Sequence, residues 1–443
     1  MVPEAGFEFH GLPAKGYDRA KPSTLVTSSL TILGSFFRAL GMLLRYKPDV
    51  VIGFGGYVSI PVGAAAAFAG VPLVLHEQNS VPGLANRVLS RWAQAVCVTY
   101  PDSIAYLAYP RRAVVTGNPV RTDIPGADRE AGRRAFKLRK KDVVLLVFGG
   151  SRGARHLNTA TVSLYKRLSS IPDVRVLHIA GPTEAEQVRA SLKEAAGGKE
   201  SRWYRVLDYV ENMGDAIAAS DLVVCRSGAT TIAELTVLGR PALLVPYPYA
   251  TGDHQTLNAK SMVDVGAAWR LTDADLDKPI FGDELVRLLC DPTRLRSMSE
   301  ASLMVGRPTA AEELIEVAME TACRSGRNTD VCEQVAAERA RAEAKEAKAA
   351  KAAEARAARV AVEAAKAAEV AKAASGDGAA VAETRKPELA LEAETEPASE
   401  PEPEVGSEAE PATEPEPASA PVVPAEPVSA SSGGADGAEG SAS

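Results

Sequence analysis

The sequence predicts an α/β fold built on two parallel β-sheets. The chain has 443 residues, 46% of them hydrophobic, which is enough to bury two domain-sized cores. Short apolar runs typical of buried strands alternate with helical stretches along most of its length, and glycine-rich turns follow several of these runs. Parallel strands joined by helices make right-handed crossovers, so we expect two Rossmann-like halves followed by a tail.

The first half begins with a stretch that predicts a short strand at residues 7–9. A broad apolar face then predicts a helix over 22–46, flanked by Arg38, Arg45 and Lys47. Such a helix either packs on a sheet as part of the core, or rests its apolar face and basic rim on a bilayer. The further predicted elements are strands at 49–52, 71–75, 95–98 and near Val114, and helices at 60–68 and 83–93.

Two segments that follow strands of the first half are candidates for ligand contact. The loop 53–59 is rich in glycine, which lets the backbone approach a phosphate or a sugar closely. The polar segment 76–79 follows a predicted strand directly, where an open α/β sheet places its ligand site. His76 alone could equally be a hydrogen-bonded structural histidine. Residues 117–121 read as the crossover between the halves.

The second half alternates strands and helices more regularly. A glycine-rich turn at 149–155 precedes a helix and carries Arg152 and Arg155, an arrangement suited to phosphate. The predicted strands lie at 143–148, 174–179, 204–210, 222–225 and 242–245, and helices follow the turn at 149–155 and begin near residues 183, 213, 229 and 253, with further helices to about residue 324.

The most informative stretch is 222–234, which reads as a buried strand, a short polar turn and a helix. This order directs free backbone N–H groups and the positive end of a helix dipole at one spot, which favours an anion. Thr230 and Thr231 offer hydroxyls beside that spot, and Glu234 lies far enough into the helix to accept both hydroxyls of a ribose. We therefore expect a nucleotide-diphosphate pocket; the alternative is an ordinary βα turn with a well-capped helix.

Composition narrows the classes of function. The formal net charge is −7, but residues 376–443 carry 16 acidic and 2 basic side chains, so the remainder is mildly basic. That charge suits anionic lipids or phosphorylated ligands and is too scattered to predict a nucleic-acid partner. The five cysteines lack metal-binding spacing, so we expect small buried thiols in a reducing compartment. We find no signal peptide and no unbroken apolar run of about 18 residues.

The predicted organisation has four parts. Residues 1–118 form the first Rossmann-like domain, and residues 119–328 form the second. Residues 329–375 are rich in alanine, glutamate and lysine, which predicts a charged, solvated helix. Residues 376–443 are rich in proline, glutamate, alanine and serine and cannot bury a core, which predicts a disordered acidic tail.

Several motifs together resemble one known family in order and spacing. The chain resembles the MurG-type N-acetylglucosaminyltransferases of peptidoglycan synthesis over residues 1–324, through segments 53–59, 76–79, 117–121, 149–158, 225–234 and 253–258. The resemblance implies the GT-B fold, in which two Rossmann-like domains with parallel sheets face each other across a cleft. It implies transfer of N-acetylglucosamine (GlcNAc) from UDP-GlcNAc to the C4 hydroxyl of lipid I, giving lipid II, with inversion and without a metal or other cofactor. It also implies a peripheral position on the cytoplasmic face of the cell membrane.

The resemblance also assigns roles to individual residues. Ser151 and Arg121 would hold the phosphate region of the donor, Val210 would meet the uracil, and Asn79 and Gln255 would contact the sugar hydroxyls. The remaining UDP-GlcNAc-binding residues would be those at the start of the helix and the glutamate that takes the ribose, namely Ala229, Thr230, Thr231, Ile232, Ala233 and Glu234. Four residues of the glycine-rich loop would face the acceptor, namely Gly55, Gly56, Tyr57 and Ser59.

The chain departs from the family pattern at its beginning. Family members start with a strand, a glycine-rich loop ending in histidine, and a helix, and residue 1 of this chain matches a point after that unit. We therefore expect that the gene product starts upstream. The lost loop carries the family's candidate general base, which leaves Glu77, and then His76, as the candidate catalytic residues. His10 and His178 we expect to be structural.

Two alternatives follow from this departure. One is a UDP-sugar-binding, membrane-associated protein without turnover, because the first loop is absent. The other is a different GT-B enzyme, such as a glycolipid glycosyltransferase or a UDP-GlcNAc 2-epimerase, against which segments 76–79 and 253–258 argue.

Overall fold

The computed structural model describes residues 3–13, 24–150 and 154–326, with isolated positions from 330 to 340. The chain divides into a compact unit over residues 1–361 and a second unit over 362–443. Every described residue belongs to the first unit. The predicted disordered tail, and all but the isolated positions of the predicted charged helix, lie outside the described residues.

The first half is a four-stranded parallel sheet with strand order β1-β2-β3-β4. Successive side chains of a strand point to opposite faces of the sheet, so Leu73 and Leu75 belong to one apolar cluster and Val74 belongs to another on the opposite face. The elements are α1 Thr24–Tyr46, β1 Val51–Gly53, α2 Ser59–Phe68, β2 Leu73–Glu77, α3 Leu84–Leu89, β3 Ala95–Val98 and β4 Ala113–Val115.

Two predictions for this half are wrong in a way that affects the site. Residues 7–9 form no strand. Strand β2 extends two residues further than predicted, so His76 and Glu77 lie inside it, paired with Cys97 and Val98 of β3. A parallel ladder uses only backbone groups, so polar side chains can continue a strand where they find their own partners.

The second half is a six-stranded parallel sheet with strand order β10-β9-β8-β5-β6-β7. The order reverses at β5, which lies between β6 and β8, and such a reversal opens a crevice at the carboxyl ends of the strands. Its strands are β5 Val143–Phe148, β6 Val174–Ile179, β7 Tyr204–Leu207, β8 Leu222–Cys225, β9 Ala242–Leu244 and β10 Ala268–Arg270. Its helices are α4 Arg129–Ala135, α5 Arg155–Ser163, α6 Tyr165–Ser169, α7 Ala185–Ala195, α8 Met213–Ala219, α9 Ala229–Val237, α10 His254–Val263, α11 Pro279–Leu289 and α12 Pro292–Val305.

Helices cover both faces of this sheet, which explains why its strands read as continuous apolar runs. On one face Leu145 packs in a cluster with Leu157 and Phe281. On the other face Leu146 packs in a cluster with Ile232 and Leu235 of α9. Helix α9 is thereby fixed on the sheet by its apolar side.

The last described helix returns to the first half. Helix α13 spans Ala310–Arg324, and its Leu314 and Ala318 pack with Val74 and Cys97 of the first sheet. The chain therefore crosses between the halves twice, once near residue 117 and once near residue 307.

The cysteine prediction is only partly confirmed. Cys97 and Cys225 are buried thiols, as predicted. Cys290 is exposed, and Cys323 forms a disulfide with Cys332, so the prediction is wrong for these three.

The packing of α4 against α8 depends on a missing side chain. A Cβ at Gly132 would lie 2.3 Å from the carbonyl oxygen of Asp215 on α8, which no real contact allows. We expect Gly132→Ala to lower the free energy of unfolding by about 1–3 kcal/mol through overpacking, measured by urea denaturation. Gly126→Ala is the matched control, because a Cβ there meets nothing within 4 Å. Equal stability of the two variants would contradict this account of the contact.

Candidate functional site

A cavity of about 1150 Å³ opens at the carboxyl edge of the second sheet. The loops after all six strands of this sheet contribute residues to it, and Arg121 from the crossover completes its wall. Parallel strands place all of their carboxyl ends at one edge, so the topology alone brings these loops together. The lining includes Gly150 after β5, Gly181 after β6, Val210 after β7, Gly228 after β8, Gln255 after β9 and Asp273 after β10.

The start of helix α9 forms one wall of the cavity. Its N-cap residue is Gly228, and no side chain among the described residues caps the helix. The first N–H groups of a helix have no partner within the helix, so they remain available to a ligand at this end. Thr230 and Thr231 line the cavity beside them. This wall can bind an anion.

Glu234 lies one turn further along the same wall and is only 8% exposed. Burial raises the pKa of Glu234, and Arg121, whose Nε lies 3.8 Å from its Oε1, opposes that rise. Its carboxylate faces the cavity and accepts no hydrogen bond from the described residues around it. A carboxylate so placed can accept two neighbouring hydroxyl groups of a ligand.

The structure brings together six of the predicted nucleotide-contacting residues. The cavity is lined by Arg121, Val210, Thr230, Thr231, Glu234 and Gln255. The Oε1 atom of Gln255 accepts a hydrogen bond of 2.9 Å from the backbone of Tyr247, which fixes the side chain on the cavity wall. Ser151 lies outside the described residues.

The other predicted contacts are not on the cavity wall. Ala229 and Ile232 are buried, and Ile232 packs in the apolar cluster beneath α9. Ala233 lies on the other side of the helix, facing a second cavity. Any contribution of these three residues to the site is therefore through the backbone of α9.

The cavity also contains an ionic network that the sequence did not predict. Asp273 pairs with Arg226 at 2.6 Å and with Nδ1 of His156 at 2.7 Å, and all three residues line the cavity. Nε2 of His156 also contacts Asp277 at 3.0 Å. Hydrogen bonds to Asp277 and then to Asp273 raise the pKa of His156. Arg226 and His156 each lie a short way after a strand of the sheet, which is a local sequence signal for a ligand contact. Their pairing with Asp273 joins distant parts of the domain, and no local pattern predicts it.

Glu77 is engaged by its own loop. It is 2% exposed, and its carboxylate accepts hydrogen bonds from the backbone of Asn79 (2.9 Å) and Gly83 (3.1 Å) and from the side chain of Asn86 (2.8 Å). The side chain of Asn79 adds a longer contact of 3.5 Å. These bonds link Glu77 to residues 79, 83 and 86 of the following segment, and no local pattern in the sequence predicts the contact with Asn86.

His76 is also held on both ring nitrogens. Its Nε2 lies 2.9 Å from the carbonyl oxygen of Gly117, so it carries the proton, and its Nδ1 accepts from Gln78 at 3.1 Å. Burial lowers the pKa of His76. The hydrogen-bonded structural histidine considered in the sequence analysis matches this geometry. His178 is likewise buried between Tyr204 and Asn158, so its predicted structural role is confirmed.

Asn258 joins the two halves beside the cavity. Its Oδ1 accepts from the backbone of Ser80 at 2.9 Å, and its Nδ2 donates to Oδ1 of Asn79 at 3.1 Å. Asn258 is fully buried on α10 of the second half. The loop that Glu77 fixes therefore reaches across to the half that carries the cavity.

The glycine-rich loop of the first half is open to solvent. Gly55 and Gly56 have φ of 83° and 78°, a backbone that other residues rarely adopt, and the hydroxyl of Ser59 donates to the carbonyl of Gly55. Tyr57 is 49% exposed at its tip. A ligand can therefore approach the loop closely.

Comparison with known proteins identifies relatives of both halves. Residues 144–314 match the family model of the glycosyltransferase family 28 C-terminal domain, and residues 1–98 match that of the N-terminal domain. A protein of Desulfitobacterium hafniense (strain DSM 10664 / DCB-2) is 40% identical over 326 residues, covering 73% of this chain and 87% of the relative. A protein of Halothermothrix orenii is 39% identical over 330 residues, covering 73% and 88%. Both are named UDP-N-acetylglucosamine–N-acetylmuramyl-(pentapeptide) pyrophosphoryl-undecaprenol N-acetylglucosamine transferase.

Solved structures resemble this fold as well. The crystal structure of Acinetobacter baumannii MurG superimposes with a TM-score of 0.54 at 31% identity, covering 66% of this chain and 79% of that one. UDP-GlcNAc 2-epimerase from Neisseria meningitidis, bound to UDP-GlcNAc, gives a TM-score of 0.50 at 15% identity, covering 65% and 81%. The second likeness shows a shared fold. The predicted pair of parallel-sheet domains of GT-B type is confirmed.

The histidine in the ionic network makes stability depend on pH. Because its pKa is raised on folding, charged His156 stabilises the native state fully below its ordinary pKa of 6.5, and this is lost as pH rises through the raised pKa. We expect His156→Gln to lower the thermal midpoint by on the order of 1–3 °C near pH 6, with the difference closing towards pH 9. The control is His254→Gln on the same wall, whose Nδ1 contacts a backbone carbonyl. A deficit independent of pH would count against the ionic network.

Proposed function

The chain belongs to glycosyltransferase family 28, and on that premise we propose that it transfers GlcNAc from UDP-GlcNAc to lipid I, giving lipid II for peptidoglycan synthesis. The observation that carries this proposal is the cavity at the carboxyl edge of the second sheet, with a helix N-terminus and a buried carboxylate on one wall. The names of the relatives supply the donor and the lipid-linked acceptor.

In this proposal the donor lies along the wall formed by α9. The diphosphate lies at the N-terminus of α9, next to Thr230 and Thr231, with Arg121 and Ser151 as further contacts. The ribose hydroxyls donate to Glu234. The uracil meets the backbone of Val210, and the sugar is directed towards Gln255 and Asn79. The uncapped helix end supports the phosphate position, and the buried carboxylate supports the ribose position.

The chemistry requires stabilisation of the leaving diphosphate and removal of a proton from the acceptor hydroxyl. Backbone N–H groups and a helix dipole stabilise the charge that develops on the departing UDP. The acceptor lies on the side of the first half, near the exposed loop with Gly55, Gly56, Tyr57 and Ser59. Glu77 is the proposed general base, and His76 is the second candidate. Each must give up a hydrogen bond that it now accepts before it can take a proton from the acceptor hydroxyl. Glu77 also positions Asn79 at the junction of the halves.

The assignment of Glu234 is tested by Glu234→Gln. The amide of glutamine carries no negative charge with which to accept hydrogen bonds from the two ribose hydroxyls. Because hydrogen bonds to charged groups contribute about 1.5–3 kcal/mol, the affinity for UDP-GlcNAc, measured by calorimetry, should fall about 10- to 100-fold. The thermal midpoint without ligand should not fall, because burial already disfavours the charged carboxylate.

A matched control and a turnover assay complete this test. Glu186→Gln alters an exposed carboxylate on α7 and should leave the affinity unchanged. If Glu234→Gln binds UDP-GlcNAc as the parent chain does, the ribose assignment is wrong. Incubation with UDP-GlcNAc and a soluble lipid I analogue should yield the disaccharide product. Donor binding without product favours the non-catalytic alternative, and epimerised UDP-sugar without acceptor favours the epimerase.

We further propose that helix α1 rests on the membrane surface. Four of its apolar side chains, Leu30, Leu33, Phe37 and Leu44, are 52–65% exposed. Their spacing of three, four and seven residues places them on one face, while Ala39 on another face is buried and α1 packs on α2. Arg38 and Arg45 border the exposed face and suit anionic headgroups. Within the described residues, no helix is long and apolar enough to cross a bilayer.

The membrane assignment is tested by replacing Leu33 and Phe37 with serine. Fully burying each side chain would contribute about 1.5–3 kcal/mol, and each is already about half buried, so the pair together contributes about 1.5–3 kcal/mol. The double variant should therefore partition into phosphatidylglycerol vesicles about 10- to 100-fold less, measured by flotation. Ile315→Ser is the control, because Ile315 is 56% exposed on α13, away from this face. UDP-GlcNAc affinity should be unchanged in both. If the double variant floats as well as the parent chain, α1 does not carry the membrane contact.

A further inference from the structure

The imidazole of His156 lies between two carboxylates on the wall of the nucleotide cavity. Its Nδ1 is 2.7 Å from Oδ2 of Asp273, and its Nε2 is 3.0 Å from Oδ1 of Asp277. A neutral imidazole has one N–H and can donate to only one of these oxygens, whereas the charged ring donates to both. The side chain of His156 is 35% exposed, so water can exchange protons with it. The geometry therefore favours the charged ring at a place that solvent reaches.

This imidazole belongs to a cluster beside the start of α9. Arg226 follows strand β8 directly, and Gly228, the N-cap of α9, comes two residues later. Arg226 pairs with Asp273 at 2.6 Å, and Arg226, His156 and Asp273 all line the nucleotide cavity. The four side chains of Arg226, His156, Asp273 and Asp277, here called the His156 cluster, thus border the helix end that the proposed function gives to the diphosphate.

The net charge of the His156 cluster depends on one proton. With His156 charged, the cluster carries two positive and two negative charges. When His156 loses its proton, one negative charge remains in excess, because Arg226 alone then balances two carboxylates. Asp277 is exposed at its side chain, but Asp273 lies on the cavity wall, so part of that excess acts inside the cavity.

Other charged groups around the cluster form pairs of opposite sign. On the helix that carries His156, Arg155 pairs with Glu184 at 2.9 Å, and beside Asp273 the carboxylate of Asp275 pairs with Lys278 at 2.9 Å. Elsewhere on the cavity wall, Arg121 pairs with Glu234 and Asp208 pairs with Arg189. The second imidazole of the described lining is His254, whose Nδ1 contacts the carbonyl of Thr251.

We infer that the proton on His156 controls the affinity of the nucleotide cavity for the diphosphate of UDP-GlcNAc, through the charge of the His156 cluster. This inference rests on the proposed function, and His156 acts in it as a positioning residue that does not take part in the chemistry. An anion beside the start of α9 is repelled by the negative charge that remains when the ring is neutral. Both phosphates of UDP-GlcNAc are esterified, so the charge of the ligand itself stays constant near neutral pH.

The direction of the effect follows from the hydrogen bonds to the ring. Hydrogen bonds to Asp277 and then to Asp273 raise the pKa of His156 above its ordinary value of 6.5. The favourable charge is therefore complete below pH 6.5 and is lost as the pH rises through the raised pKa. By linkage, UDP-GlcNAc favours the protonated ring, so binding takes up protons in that range of pH.

The inference is tested by calorimetric titration of UDP-GlcNAc into the full chain and into His156→Gln, near pH 6 and near pH 9 at low salt. We expect the parent chain to bind about 3- to 10-fold more tightly than the variant near pH 6, and the two to bind equally near pH 9. Glu234 also titrates on this wall, but it is present in both proteins, so the comparison between them removes its effect. Added salt should reduce the difference near pH 6.

Two further variants separate charge from structure. His156→Arg keeps a cation between the two carboxylates and should bind about 3- to 10-fold more tightly than His156→Gln at both pH values. His254→Gln is the control, and the fall of affinity with pH seen in the parent chain should persist in it. All titrations are run below the lowest thermal midpoint of the set, so that unfolding does not imitate weaker binding.

The possible failures are distinguishable. Equal affinity of the parent chain and His156→Gln near pH 6 would overturn the inference, as would a difference of the same size at both pH values. Loss of the pH dependence in His254→Gln, with the dependence retained in His156→Gln, would assign the effect to the other histidine. In each of these cases UDP-GlcNAc still binds and the proposed function stands. A parent chain that binds no UDP-GlcNAc at either pH would contradict the proposed function and the inference with it.

Discussion

All six strands of the second sheet run in the same direction, and the functional cavity depends on this single constraint. Each strand then delivers a loop to the same edge, and the reversal of strand order at β5 parts those loops into a crevice. The apolar runs that bury the strands also hold α9 on the sheet through Ile232 and Leu235. Core packing therefore sets the direction in which the uncapped end of α9 points.

The polar groups at this edge are arranged at some cost to stability. Burial raises the pKa of Glu234, and Arg121, the one cation paired with it, at 3.8 Å, only partly offsets that rise. The Nε of Arg226 is buried and has no hydrogen-bond partner in the part of the chain that the structure describes, although Asp273 pairs with the same guanidinium. Groups with unfilled hydrogen-bonding capacity at a cavity wall are unfavourable in the empty protein and favourable once a polar ligand arrives.

The sequence was sufficient for the architecture and for the part of the site that one continuous segment forms. Strand β8, the turn and α9 were predicted because apolar runs, glycine and helix starts are local signals. It was insufficient where partners come from distant elements. The pairing of His156 with Asp273 and the four hydrogen bonds to Glu77 depend on how loops meet in space. Strand β2 ends two residues later than predicted because its backbone ladder with β3 continues through residues with polar side chains.

Three kinds of contact hold the two halves of the chain together beside the cleft. Asn258 bonds the loop of Asn79 and Ser80, α13 packs on the first sheet, and the two crossings touch at Gly117 and Arg307. The first contact is polar and lies beside the nucleotide cavity, whereas the apolar contact of α13 lies on the first sheet itself. Polar contacts exchange with water or ligand at a small net cost, while packed apolar contacts persist. Under the proposed donor position, a sugar that contacts Asn79 competes with Asn258 for the same amide, so that proposal also links occupancy of the cavity to the contact between the halves through one hydrogen bond.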